Sequence, residues 1–223
     1  MSYRDEIAKM IDVSAVRADS TMEEVAQIVE AARKFPFICI FTMPSMIEKI
    51  RDDVRKQPYT GLGGIVGFPS GGETTQTKVH EARELKTLGC DEIDMVMNIG
   101  KLKSGLDDEV MADIMAVRAV VTPIPLKVII EVCLLTDDEI RRAASIVRDS
   151  GASFVKTGTG WAGATTLHHL EIIRETVGDA IPIKVAGGVR DLDTLLKMKE
   201  MGASRFGIGF KSALKIIEQC PEI

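Results

Sequence analysis

Eight short apolar runs recur along the chain at nearly constant spacing, and this regularity restricts the fold more than any composition figure. They cover residues 10–14, 37–41, 64–68, 92–98, 126–131, 153–157, 181–186 and 205–208. With Asp12, Cys39, Val66, Asp94, Val128, Val155, Lys184 and Phe206 as centres, the steps are 27, 27, 28, 34, 27, 29 and 22 residues. Each step has room for a strand, a helix and two loops, the length of a βα unit. The intervening segments carry helix signals. Ser20-Thr21-Met22-Glu23-Glu24 opens one, with Val25, Ile28, Val29 and Ala32 at helical spacing. A second spans 74–88 and stops at Gly89, a third starts at Leu135-Thr136-Asp137-Asp138-Glu139 and ends at Gly151, and a fourth runs from Asp191 to Gly202.

Eight such units with no Ser/Pro-rich linker predict one domain over residues 1–223, a (β/α)8 TIM barrel. The alternative is an open, doubly wound sheet. That fold usually carries a glycine fingerprint after its first strand. Here the glycines gather late, at Gly158, Gly160, Gly187, Gly188, Gly207 and Gly209.

With 45% hydrophobic residues the 223-residue chain can bury a large core, which excludes disorder. Its net charge of −5 argues against a nucleic-acid partner. No uncharged apolar window of about 18 residues predicts a membrane span. The start, MSYRDEIAKMIDV, has charges where a signal peptide needs an apolar run, so a cytoplasmic protein is expected. Cys39, Cys90, Cys133 and Cys220 show no CxxC spacing and read as free thiols. His80, His168 and His169 fall in helical patterns and read as surface or packing residues; the run from Arg51 to Lys56 reads as a solvated helix face.

Strands of a parallel barrel are buried on both faces and should be apolar. Several here are not. Alternation can place Asp94, Lys127, Glu131, Lys156 and Lys184 inside the barrel. Buried charges are costly unless paired or used. A structural ion network, for instance Glu131 with Lys127, is one reading. The other is catalysis, since this fold keeps its active site at the C-terminal strand ends and Lys156 and Lys184 lie close to theirs. A lysine must be deprotonated to attack a carbonyl, against a reference pKa of about 10.4. A second ammonium about 5 Å away contributes about 3 kcal/mol against protonation at an effective dielectric of about 20, and burial acts in the same direction. A lysine pair with an aspartate therefore suits Schiff-base chemistry: an amine nucleophile, an iminium electron sink and a carboxylate to move protons. The late glycines, Gly187-Gly188 after strand seven and Gly207 to Gly209 opening the last helix, suit a phosphate held by backbone N–H groups; tight turns are their simpler explanation.

At these residues the sequence resembles the deoxyribose-phosphate aldolase family over nearly its whole length. The matching segments are Gly67-Phe68-Pro69 with Thr74-Thr75 and Lys78-Val79, DEIDMVMNIGKLKSG from Asp91, LKVIIEVCLLTDDE from Leu126, FVKTGTG from Phe154, KVAGGVRDL from Lys184 and RFGIG from Arg205. The resemblance implies a barrel that reversibly cleaves 2-deoxyribose 5-phosphate to glyceraldehyde 3-phosphate and acetaldehyde, with no cofactor and no metal. It implies Lys156 as the Schiff-base lysine, Asp94 and Lys184 as proton donor and acceptor groups, and Lys127 in the substrate pocket. The expected phosphate site comprises Gly160, Gly187, Gly188, Gly207, Gly209 and Phe210. The expected partners are a small sugar phosphate and an aldehyde, with neither nucleic acid nor membrane, and the protein is expected to be a homo-oligomer.

Parts of the substrate shell depart from the family pattern. Gly158 stands where the family has the serine of KTSTG, and Trp161 where it often has Lys or Phe-Gly. Residues 11–18 replace IDHTLLKP, Met43-Pro44 follows Phe41-Thr42 where Asn-Pro is usual, and Gly209-Phe210 replaces two serines. Trp161 and Phe210 either shrink the pocket or pack on the barrel rim. The alternatives are therefore a related aldolase with a different aldehyde acceptor, phosphorylated or not, or a catalytically silent sugar-phosphate binding protein.

Overall fold

The computed structural model describes residues 2–221. Its eight parallel strands close into a barrel in chain order, β1 (Ile11–Ala15), β2 (Cys39–Thr42), β3 (Gly61–Val66), β4 (Glu92–Val96), β5 (Leu126–Ile129), β6 (Phe154–Lys156), β7 (Ile183–Ala186) and β8 (Ala203–Gly209), with β8 pairing back onto β1. Helix α1 (Tyr3–Ala8) precedes β1. The connecting helices are α2 (Met22–Ala32), α3 (Pro44–Val54), α4 (Thr75–Leu88), α5 (Ile99–Lys103), α6 (Asp107–Val121), α7 (Asp137–Asp149), α8 (Leu167–Val177), α9 (Leu192–Glu200) and α10 (Phe210–Gln219). The (β/α)8 expectation holds, and the open sheet is excluded by the β1–β8 pairing.

The helix signals act where the sequence put them. Thr21, Thr74 and Thr136 cap α2, α4 and α7 by accepting a backbone N–H from three residues on, and Glu139 completes a capping box at α7. Gly89, Gly151 and Gly202 all adopt positive φ (88°, 73° and 99°) just after a helix, which turns the chain into the next strand.

The strand bounds shift by up to three residues from the sequence reading, and two of the shifts have a clear cause. β3 begins at Gly61, three residues before the expected run, because its glycines are strand residues rather than a turn. A Cβ at Gly63 would lie 2.4 Å from the Phe41 ring, and one at Gly64 2.9 Å from Ile93. β5 stops at Ile129, so Glu131 is not a strand residue: it takes a left-handed conformation (φ 53°) ahead of a 3-10 turn at Val132–Leu134.

Strand alternation sorts the side chains as parallel pleating requires. Val13, Ile40, Ile93, Met95, Val128, Val155, Val185 and Phe206 point outward into the main core, with Val25, Ile47, Leu85, Ile114, Ile140, Ile173 and Ala213 from the helices. Inside the barrel a separate small apolar cluster, Cys39, Phe41 and Ile65, occupies the β2–β3 side. Beside it the interior carries a group of charged side chains on β1 and β4–β8. All four cysteines are free, three buried and Cys133 half-buried. Among the described residues no helix is long and apolar enough to cross a membrane.

A buried ion pair ties α4 to α6 outside the barrel. Lys78 donates to Asp113 at 2.7 Å and to the Val96 carbonyl at 3.0 Å, with both side chains out of solvent. Removing one partner strands a buried charge. Asp113→Ala is expected to lower unfolding stability by about 3–5 kcal/mol, measured by urea denaturation, whereas Lys78→Met with Asp113→Leu should recover most of that loss.

Candidate active site

Four strands bring the expected charged residues together. Asp94 on β4 is fully buried, and its two oxygens bind three ammonium groups. Oδ1 accepts from Lys127 at 3.0 Å; Oδ2 accepts from Lys156 at 2.7 Å and from Lys184 at 2.6 Å. Two nitrogens bound to one oxygen at these lengths lie at most about 5.3 Å apart. The registers Asp94↔Lys127, Ile129↔Lys156 and Lys156↔Lys184 produce this convergence, because neighbouring barrel strands present interior residues at staggered heights.

Three residues in this network were not singled out by the sequence reading. Asp12 on β1 pairs with Lys184 at 2.5 Å and lies 3.8 Å from Lys127. Glu92, at the start of β4, bonds Lys127 and accepts from Arg205 at 2.8 Å. Arg205, near the start of β8, bonds both Asp12 and Glu92. The signal was present as charge on an apolar strand at Asp12, Glu92 and Arg205, but Asp12 and Arg205 each stood alone within their runs and Glu92 lay at the very start of its own. Phe41 completes the lining: its ring centroid is 4.2 Å from the Lys184 nitrogen, 5.0 Å from that of Lys127 and 5.9 Å from that of Lys156. An aromatic face excludes water while attracting the cations.

The electrostatics differ along the cluster. Burial pushes the Lys156 amine down, the Asp94 carboxylate opposes it, and Lys184 and Lys127 lower it further; the result is about 8. Burial acts to raise the Asp94 carboxyl, but Lys127, Lys156 and Lys184 outweigh it and hold it well below the usual carboxylate range. Lys127 goes the other way from Lys156: burial lowers it, but Asp94, Asp12 and Glu92 raise it above an ordinary lysine. Of Lys156 and Lys127, Lys156 is therefore the one shifted toward a free amine.

Glu131 does not join the lysines. The Glu131–Lys127 pair of the ion-network reading is absent, because the chain turns before Glu131. Its carboxylate accepts instead from the Thr159 backbone at 3.1 Å and from the Thr159 hydroxyl, tying down the loop after β6. A Cβ at Gly158 would come within 2.8 Å of Glu131 Oε1, so the glycine at that position makes room for this carboxylate.

Above the lysines lies a narrow pocket of about 30 Å³, bordered by Lys156, Lys184, Phe41, Ile65 and Phe68. It shares Ser14, Val16, Thr159 and Gly207 with a wider cavity of about 280 Å³ at the strand ends. Gly160, Gly187, Gly188, Gly207 and Gly209 all line the wider cavity, joined by Arg190 and Ser212. Phe210 stands apart: its side chain is buried in the main core and borders a different groove with Arg17 and Glu24. Trp161 does line the cavity. Its indole N–H donates to the Val16 carbonyl at 3.2 Å and its ring meets Phe68 edge-on at 5.8 Å. His168 and His169 sit on α8 away from these cavities, His168 beside Asp137 at 3.0 Å and His169 accepting from the Thr166 N–H. Asp12, Cys39 and Glu92 place donor atoms within 4.8 Å of one another. Both carboxylates are already bound by Arg205 and lysine ammonium groups, so this trio does not suit a metal ion.

A family model described as DeoC/LacD family aldolase matches residues 6–218. The chain belongs to this family. It is an aldehyde-lyase by that membership. It is 46% identical over 216 residues to the deoxyribose-phosphate aldolase of Sinorhizobium medicae, covering 96% of this chain and 87% of the relative. It is 40% identical over 222 residues to that of Klebsiella pneumoniae, covering 96% and 89%. Among solved structures, the aldolase QR15 superposes with a TM-score of 0.89 at 30% identity, covering 96% of this chain and 95% of that one. The tetrameric deoxyribose phosphate aldolase of Aeropyrum pernix shares the fold, with a TM-score of 0.87 at 24% identity over 98% and 92% of the two chains.

The shared Asp94 oxygen makes Lys184 the near neighbour that opposes protonation of Lys156. Lys184→Leu should raise the Lys156 pKa and move the pH profile for its reaction with an aldehyde alkaline by about one to two units. The profile is read from borohydride trapping of the adduct across pH. Lys184→Arg, which keeps the charge, should leave the profile in place.

Proposed function

We propose that the protein is a Schiff-base aldolase that reversibly cleaves 2-deoxyribose 5-phosphate to glyceraldehyde 3-phosphate and acetaldehyde. The observation that carries this reading is the buried site in which Lys156 and Lys184 share one oxygen of Asp94. The free amine of Lys156 attacks the C1 aldehyde of the open-chain sugar, and loss of water leaves an iminium. Asp94, with Lys184 as its proton-exchanging neighbour, takes the proton from the C3 hydroxyl. The C2–C3 bond breaks, its electron pair enters the iminium to form an enamine, and glyceraldehyde 3-phosphate leaves. Protonation at C2 and hydrolysis release acetaldehyde and return the amine. Electrostatic preorganisation supports these steps, since the aspartate is held ionised before substrate arrives.

The wider cavity fits the 5-phosphate in this reading. Gly187 and Gly188 hold positive φ (89° and 88°) with their backbones close to Gly163 and Ala164, where a side chain would not fit. Gly209 caps α10 with no side-chain acceptor for the first-turn N–H groups, which leaves them and the helix dipole available to an anion. Arg190 and Ser212 supply donors on the same cavity wall. The deoxyribose-phosphate aldolase relatives support the substrate assignment. We further propose a homo-oligomer, as the Aeropyrum pernix enzyme is a tetramer. The cytoplasm is the compartment consistent with the four free thiols.

Borohydride with acetaldehyde should leave a reduced adduct on Lys156, located by peptide mass mapping; an adduct confined to Lys184, or none, overturns the nucleophile. Chelator treatment should leave activity unchanged, because the iminium takes the role of a Lewis acid; loss restored by zinc points to metal-dependent aldol chemistry.

The phosphate assignment is tested with the sugar itself. The kcat/KM for 2-deoxyribose 5-phosphate should exceed that for 2-deoxyribose, and Arg190→Ala should narrow the gap. Equal values for the two sugars would assign the wider cavity to another acceptor group.

A further inference from the structure

The described interior of the barrel carries four basic side chains, Lys127, Lys156, Lys184 and Arg205, against three acidic ones, Asp12, Glu92 and Asp94. They form one continuous network. With every member ionised it holds one surplus positive charge, an unfavourable state among buried side chains. The surplus is relieved if one base gives up its proton. Arg205 cannot, because a guanidinium stays protonated. Lys127 faces three carboxylates, with Asp94 at 3.0 Å, Asp12 at 3.8 Å and Glu92 in direct contact. Lys184 faces two, Asp12 at 2.5 Å and Asp94 at 2.6 Å. Lys156 faces only Asp94, at 2.7 Å, and shares that oxygen with Lys184. The least compensated cation, Lys156, is also the more exposed of the two lysines that border the narrow pocket.

We propose that Arg205, at the closed end of the barrel, is the fixed charge that creates this surplus and so shifts Lys156 from ammonium toward free amine. The inference rests on Lys156 being the nucleophile and deepens that reading. Arg205 reaches neither substrate nor reacting atoms; it is a positioning residue that acts through Asp12 and Glu92 on the lysines above. Other strands contribute little charge. On β2 the thiol of Cys39 is pushed well up by burial and is neutral, and β3 presents glycines and Ile65. Glu131, on the loop after β5, is bonded to Thr159.

Charge counting makes a signed prediction that a purely structural role does not. A unit charge about 10 Å away moves a pKa by roughly one unit at an effective dielectric of about 20. Arg205→Met leaves three bases against three acids, so the Lys156 pKa should rise by about one unit. Glu92→Gln leaves four against two and should lower it by about one unit. Arg205→Met with Glu92→Gln restores the one-charge surplus and should return it to the wild-type value, and Arg205→Lys should not move it. The amine is titrated by NMR of lysine-labelled protein, assigned with Lys156→Met, and in parallel by borohydride trapping with acetaldehyde. Opposite shifts for the single variants and a return in the double variant support the proposal. Shifts of one sign, no shift, or a double variant that does not return overturn it. If Arg205→Met does not fold, Glu92→Gln and the double variant carry the same comparison. A wild-type protein that titrates as expected yet forms no adduct removes the Schiff-base reading and leaves the charge argument standing.

Discussion

The carboxylate of Asp94 holds three lysines at once, and much of the interior is arranged around that contact. Each of its oxygens is occupied, Oδ1 by Lys127 and Oδ2 by both Lys156 and Lys184. A fully buried anion of this kind persists only when several cations repay its lost hydration. Those cations in turn need anions, which is why Asp12 and Glu92 lie beneath them and why Arg205 closes the base. Had the interior been filled with Val and Ile, as parallel barrels commonly are, the fold would keep its packing but lose any group able to attack a carbonyl.

The arrangement separates two tasks by height in the barrel. At the closed end the charges are tightly matched: Arg205 and Lys127 are both raised above their ordinary range by the carboxylates they touch, despite burial. Toward the open end the matching weakens, and Lys156 falls to about 8, with burial the largest cause. Phe41 serves both levels, covering the lysines with an apolar face on the side where β2 and β3 carry no charge. Around the mouth, backbone geometry takes over from side-chain charge. Glycines, the start of α10 and a tryptophan held by Val16 shape the wider cavity. The position of Gly158 follows from the same crowding, since the Glu131 carboxylate fills the space a side chain there would need.

The spacing of the apolar runs, the capping threonines and the glycine after each of several helices carried the barrel, because these are local signals with fixed periods. Lys156, Asp94, Lys184 and Lys127 were readable for the same kind of reason: a charge on a strand that should be apolar is conspicuous within five residues of sequence. The glycines of the wider cavity were readable as a late cluster. What alternation could not supply was height. It says that a residue faces inward, not which inward residues meet, so Glu131 was grouped with the interior charges and Glu92 was passed over, although only Ile93 separates Glu92 from Asp94. Likewise β3 was read three residues late, because Gly61-Leu62-Gly63 carries little apolar signal until the Phe41 ring that takes the place of a side chain at Gly63 is present.

The sequence by itself determined the number of βα units, the charged character of the interior and the identity of the lysines and aspartate at its centre, since each depends on residue type and short-range period. Closure of the barrel decided the rest. The pairing of β1 with β8 sets Asp12 beside Gly207 across almost the whole chain, and the stagger between strands then brings Arg205 to Asp12 and Glu92. Contacts between residues nearly 200 positions apart have no local signature. Only the closed geometry turns seven scattered charges into one network and leaves Lys156 as its least compensated cation.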